Sequence, residues 1–221
     1  MCGRYALHSN PEVVALQFGL ASPPGFAASY NIPPGSTLLV VKNSREEKPV
    51  ADNCRWGLIP AWAKDPAIGN KLANARAETI AEKPAFRSAF RLSRCLVPAS
   101  GFYEWKTAAG RKHPWYMRPK EAALFGLAGI TELWNGPGGP LQTVALITTS
   151  PNELMRPIHD RMPVIIEPGD YAAWLDVKNE RPGALLRPYP ESRMEAIPVS
   201  PRVNLPRNDD PALIERLDNP A

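Results

Sequence analysis

Proline restricts this chain more than any other residue. There are 26 prolines in 221 residues. Each fixes φ and removes a backbone donor, so a helix interior or a central strand stops where one falls. Long helices are excluded, and a succession of short elements remains. Brief apolar runs predict strands over residues 37–42, 95–99, 102–106, 114–117, 124–131, 143–149 and 162–166. Asn10-Pro11-Glu12 reads as an N-cap with a first-turn proline, opening a helix that Gly19 closes. Further short helices are predicted over 84–92 and 169–175, with one helical turn near 213–217. Ser150-Pro151-Asn152-Glu153 has capping-box spacing for a brief helix that Pro157 stops. Parallel winding would need crossover helices of about ten or more residues, which are lacking. The expected class is therefore α+β, with a mostly antiparallel, barrel-like sheet core and short peripheral helices.

Other classes fall away on composition. No apolar run approaches the ~20 residues of a membrane span, and no basic-then-apolar leader opens the sequence. Cys2, Cys54 and Cys95 are odd in number and widely spaced. They make neither a disulfide framework nor a metal site, and a reducing cytoplasm is the expected compartment. Cys54 and Cys95 sit in apolar surroundings and read as small core residues. The formal net charge is +4, unevenly spread: residues 55–118 hold twelve Lys and Arg against four Asp and Glu, the remainder fourteen against eighteen. A basic middle on an acidic frame suits an anionic ligand, nucleic acid included, or is a solvated face. No GxGxxG, P-loop, HExxH or paired CxxC is present, so no nucleotide cofactor and no metal is expected.

Four polar stretches interrupt apolar surroundings. The first is Met1-Cys2-Gly3-Arg4. Methionine is normally trimmed before a small residue, which would leave cysteine at the start. A terminal cysteine carries a thiol with a pKa of about 8.5 and an α-amine near 8. Such a pair can condense with an aldehyde to an imine and then close a thiazolidine ring. Alternatively the thiol attacks an amide with its own amine as base, as in an N-terminal-nucleophile amidase or peptidase. Read alone, Cys2 is equally an ordinary start-adjacent residue. The second stretch is Asn74-Ala75-Arg76. The third is Gly101-Phe102-Tyr103-Glu104-Trp105, where alternation puts Phe102, Glu104 and Lys106 on one face and Tyr103 and Trp105 on the other. A carboxylate beside aromatics loses hydration, and its pKa rises toward neutrality; a strand-edge ion pair is the plainer alternative. The fourth is Ile158-His159-Asp160-Arg161-Met162-Pro163, with His159 in a loop ahead of a strand, where catalytic groups tend to sit. His8 and His113 lack such a context and read as surface residues.

These motifs occur in order with Tyr30-Asn31, Trp56-Gly57-Leu58-Ile59-Pro60, Ala77-Glu78-Thr79, Val199-Ser200 and Val203-Asn204. Together they resemble the SRAP family, the SOS response-associated peptidases or abasic-site processing proteins, over residues 1 to about 210. The resemblance implies a single domain over 1–221, with 1–210 the core and 211–221 a C-terminal extension. It implies autocatalytic removal of Met1, which accounts for "peptidase" in the family's name, and self-crosslinking to abasic sites in single-stranded DNA. By motif match Cys2, Asn74, Glu104 and His159 take the active-site places, and Arg76 and Arg161 those that grip phosphates. Arg4 is a further expected phosphate contact and Trp62 a stacking platform. Two departures stand out. Pro33-Pro34-Gly35 replaces an expected Ala-Pro-Gly, and Ala63 follows Trp62 where some members carry a wedging aromatic. A monomer in the cytoplasm, nucleoid-associated when bound to DNA, completes the expectation, with weak strand cleavage by β-elimination as a side activity.

Overall fold

Short strands punctuated by proline build a β-rich architecture in the computed structural model, which describes residues 2–217. In chain order come β1 (Tyr5–Leu7), α1 (Pro11–Phe18), β2 (Ser29–Ile32), β3 (Thr37–Asn43) and β4 (Pro49–Trp56). Next are β5 (Asn74–Arg76), α2 (Arg87–Leu92), β6 (Arg94–Ala99), β7 (Gly101–Ala108) and β8 (Arg111–Pro119). The last elements are β9 (Phe125–Gly136), β10 (Gly139–Thr149), β11 (Met162–Pro163), β12 (Ile165–Ile166), α3 (Tyr171–Leu175) and β13 (Met194–Pro198). α1 is capped as its sequence demands: Asn10 accepts from the Glu12 amide, and Gly19 closes the helix at φ 67°.

Five strands form a closed ring. β10 pairs with β4, β4 with β3, β3 with β6, β6 with β9, and β9 again with β10. Only the β10–β4 contact in this ring is parallel. The α+β, barrel-like and mostly antiparallel expectation is met. Every residue of β6 is buried, as in a strand covered on both faces. Its first residue, Arg94, donates to the carbonyls of Phe90, Arg91, Trp174 and Asp176. That satisfies orphan carbonyls at the ends of α2 and α3 and ties both helices to the barrel.

A second sheet, in the order β13-β8-β7-β1-β2, is antiparallel throughout. Ser100 alone separates β6 from β7, so the chain passes from barrel to sheet in one residue. The Ser100 amide donates to Ala6 O at 2.7 Å, and its hydroxyl accepts from the His8 amide at 3.1 Å, which stitches β1 to the crossing. Gly101 is required there, because a Cβ would lie 2.1 Å from the Tyr116 ring. The sheet's faces differ as alternation predicts. Phe102 and Met117 join the main core; Tyr103 and Tyr116 belong to a smaller cluster with Ala6, Ile197, Val199, Val203 and Leu213. Leu213 lies in the expected extension, whose residues 218–221, like Met1 and its removal, fall outside the described residues.

Several predicted elements differ in detail. The capping-box helix is instead a run of turns, and the residue that organises it is Asn152, whose Oδ1 accepts from the Met155 amide. The predicted strand over 162–166 is two, β11 on β10 and β12 on β9, because the chain changes partner at Val164. The helix predicted from residue 84 starts at Arg87. His8 is half-buried, stacked on Tyr30 at 4.8 Å, and His113 is half-buried rather than superficial. Among the described residues no helix is long and apolar enough to cross a membrane.

Candidate active site

The site lies where barrel and sheet meet. β1 pairs with β7 through Tyr5 opposite Phe102, and the Tyr103 amide donates to Arg4 O at 2.9 Å. The ladder thus continues toward the start of the chain and carries Cys2 alongside Glu104. Cys2 is fully buried. From the barrel side, β5 runs parallel to β10 with Asn74 opposite Leu146 and Arg76 opposite Thr148. Asn74 Nδ2 donates to Cys2 O at 2.9 Å. Its Oδ1 is buried with no hydrogen-bond partner among the described residues. β11 flanks the same end of β10, so His159 arrives just ahead of it.

Trp56 fixes both halves. It is buried at the end of β4, its Nε1 donates to Ala73 O at 2.9 Å, and its ring meets Tyr5 edge-on at 5.7 Å. The residues before Asn74 and after Arg4 therefore hang on one indole. The loop beyond it packs tightly: Gly57 has φ 128°, and a Cβ there would meet Gly69 O at 2.6 Å.

Glu104 is 2% exposed, and burial pushes its carboxyl from an ordinary 4.5 to about 7. The rise anticipated from its aromatic neighbours is present, though desolvation by the whole core causes it. His159 Nε2 lies 3.9 Å from Glu104 Oε2, beyond a direct hydrogen bond. His159 Nδ1 accepts from the Arg161 amide at 3.0 Å, which places the proton of the neutral ring on Nε2, toward Glu104. The Asp160 carboxylate is also 2.9 Å from Nδ1. It is largely exposed and suits only a protonated ring, whereas burial lowers the pKa of His159. Burial, reinforced by the Glu104 charge, raises the Cys2 thiol, so the sulfur is held protonated at neutral pH. The arrangement offers a buried nucleophile, a carboxyl that titrates near neutrality and an imidazole donor, all around one residue.

The expected DNA contacts are placed unevenly. Arg76 is exposed at the end of β5, and Trp62 is 61% exposed beyond Pro60. Ala63, its neighbour, accepts from Trp134 Nε1 at 2.7 Å. Arg161 is only 12% exposed: it makes a bidentate pair with Glu78 at 2.6 and 2.9 Å and donates to Thr148 O at 2.6 Å. That pair holds the Glu78 carboxyl below its ordinary value. Arg4 turns inward, donating to Asn31 Oδ1 at 2.5 Å and Val203 O at 2.8 Å, with its guanidinium 5.9 Å from the Trp105 ring. The structure thus gathers Cys2, Asn74, Glu104 and His159, leaves Arg76 and Trp62 facing solvent, and ties Arg161 and Arg4 into the frame. Trp56, Asn31 and Glu78 carried no assigned role in the sequence. All three stood inside the ordered motifs, and polar Asn31 between Tyr30 and Ile32 was the available signal. Among the described residues no group of three or more His, Cys, Asp or Glu could hold a metal ion.

Comparison with known proteins identifies the family and the fold. The family model described as SOS response associated peptidase (SRAP) matches residues 1–206. The abasic site processing protein YoqW of Bacillus subtilis is 46% identical over 97% of this chain and 99% of its own length. The abasic site processing protein HMCES of Xenopus tropicalis is 34% identical over 84% of this chain and 65% of its own. A crystal structure of a protein from Bacteroides thetaiotaomicron superposes with a TM-score of 0.88 at 27% identity, covering 98% of this chain and 100% of that one.

Proposed function

This chain belongs to the SOS response associated peptidase (SRAP) family, and from that premise we propose that it captures abasic sites in single-stranded DNA as a covalent thiazolidine. The observation that carries the reading is the convergence of Asn74, Glu104 and His159 on a buried Cys2. An abasic site is a ring hemiacetal in equilibrium with an aldehyde, and an aldehyde is what a 1,2-aminothiol traps. With no base present, C1′ is reached without flipping anything from a stack. Relatives named for abasic-site processing support the same substrate.

His159 Nε2–H protonates the ring oxygen while a solvent water takes the proton of the C1′ hydroxyl and relays one back to Nε2, and the sugar opens. The Cys2 amine, free once Met1 is removed, adds to C1′ to give a carbinolamine. Glu104, with a pKa near the working pH, delivers the proton that lets hydroxide leave as water and takes back the N–H proton, leaving a neutral imine. The thiol then adds to the imine carbon: an S–C1′ bond forms, and the sulfur's proton passes to nitrogen, again through Glu104. The sum is aminothiol plus aldehyde giving thiazolidine plus water. Asn74 holds the attacking residue by its carbonyl. Arg76 neutralises a phosphate, Trp62 stacks a base, and Arg161 braces Glu78 beside Arg76. Arg4 serves by fixing the terminal strand. The imine also permits β-elimination, hence weak lyase activity.

Intact-mass measurement tests the reading. Protein lacking Met1, incubated with a uracil-excised oligonucleotide, should gain the mass of the strand less one water. Unchanged mass with an intact free aldehyde would overturn it.

A further inference from the structure

A cleft of about 590 Å3 opens at the tip of the β7–β8 hairpin, walled on the other side by Pro198 and Pro201. Lys106, Arg111, Lys112, His113 and Trp115 line it, and no Asp or Glu does. Among the described residues no ion pair engages Lys106, Arg111 or Lys112. Other cations do have carboxylate partners: Arg156 pairs with Glu153, Lys178 with Glu47, Arg193 with Glu167 and Arg202 with Asp210. A concave cluster of unneutralised charge focuses the field and favours an anionic occupant.

The cleft is continuous with the active site by register. Directly opposite residues of an antiparallel pair share a face. Glu104 stands opposite Trp115, Lys106 opposite His113, and Ala108 opposite Arg111. One face of the hairpin therefore reads outward from the reactive carboxyl as aromatic, then cationic, then cationic, while Lys112, opposite Thr107 and so out of phase with that face, lines the cleft at the hairpin tip. From residue 104 to 108 that track is about 14 Å long at 3.4 Å per residue. Trp115 is half-buried, so part of its ring is open. Burial chiefly, and the Lys112 charge in smaller part, disfavour protonation of His159, which sets the hairpin tip within electrostatic reach of the site.

We infer that this cleft is a flank subsite, taking the nucleotides on one side of the abasic position with phosphates on Lys106, Arg111 and Lys112 and a base against Trp115. The inference rests on the function proposed above. Backbone cations with an interleaved aromatic are the sequence-tolerant way to hold a single strand.

The test uses the full chain and oligonucleotides carrying a non-reactive tetrahydrofuran abasic analogue, with flanks long on both sides, long only 5′, or long only 3′. Anisotropy titrations are run at several salt concentrations. For the unaltered protein, removing one particular flank should weaken binding about tenfold. The R111A/K112A variant should show that loss on the full-length strand, become indifferent to removal of the same flank, and have a salt slope shallower by about 1.4, or 0.7 per phosphate. R111E/K112E should bind more weakly still. Both positions are exposed, so thermal unfolding should match the unaltered protein. Equal flank sensitivity in protein and variant, or none in either, overturns the subsite. If the unaltered protein crosslinks authentic abasic DNA while that happens, only the subsite is lost. Failure to bind or crosslink any abasic strand would instead remove the proposed function.

Discussion

The barrel and the seam each bury cysteine, and the comparison separates burial from reactivity. Cys54 and Cys95 are fully buried in the barrel core. Cys95 sits against Gly129, where a Cβ would come within 2.8 Å of its sulfur. Burial pushes the Cys54 thiol to about 12 and raises Cys95 strongly. Cys2 is buried as completely and its thiol is likewise raised. The difference is the company: at the seam the sulfur shares its surroundings with Glu104, His159 and Asn74, whereas Cys95 sits against Gly129 and near the second core thiol, Cys54. Desolvation alone makes a thiol inert; a neighbouring carboxyl that titrates near neutrality gives its proton somewhere to go.

The largest expected effect tests that contrast directly. Cys2→Ser should abolish the stable adduct on denaturing gels while leaving an imine trappable by borohydride. Cys95→Ala should crosslink at the ordinary rate and lose about 1–2 kcal/mol of stability in denaturant melts. A stable unreduced adduct from Cys2→Ser would break the comparison.

Next comes Glu104→Gln, which should slow crosslinking by about a hundredfold. It should also reshape stability against pH. Below about pH 4.5 the carboxyl is protonated in folded and unfolded chains alike, so nothing is lost. Between there and about pH 7 the unfolded chain releases its proton and the folded chain keeps it. Stability therefore falls as pH rises through that window, by about 3 kcal/mol in total, and levels off above it. Glu104→Gln should lack this fall, and parallel curves for the two proteins in urea titrations would contradict the assigned burial effect.

The smallest effect sharpens the division between the solvent face and the frame. Arg76→Ala should flatten the salt dependence of single-strand binding by about 0.7 and leave the melting temperature unchanged. Arg161→Ala should lower the melting temperature, since it abandons Glu78 and the Thr148 carbonyl. Equal melting temperatures for the two variants would erase the distinction.

Long, apolar, regularly patterned elements were legible without coordinates: α1 with its Asn10 and Gly19 caps, β3, and β6 through β10. β5 was not, because three residues with one buried side chain give no periodicity, and only pairing with β10 makes them a strand. β4 escaped for a related reason, since none of its residues up to Asn53 is buried and only Cys54 and Trp56 face the core. In the site, residue identities could be read from motifs but orientation could not. Arg4 and Arg161 look like phosphate ligands in a linear sequence, and only packing reveals that Asn31 and Glu78 already hold them. For Glu104 alternation indicated its side of the strand, but a strand-edge ion pair stayed open, and only packing shows the burial that raises its carboxyl.

Asn74 grasps Cys2 by the carbonyl oxygen. In the proposed chemistry the nitrogen and sulfur of that residue both bond to C1′, closing a ring through its α- and β-carbons, while the carbonyl oxygen outside the ring keeps its bonds from first encounter to finished lesion. The clamp need never let go, so reagent and product share one mooring, and the bulky adduct should stay seated in the cradle that made it.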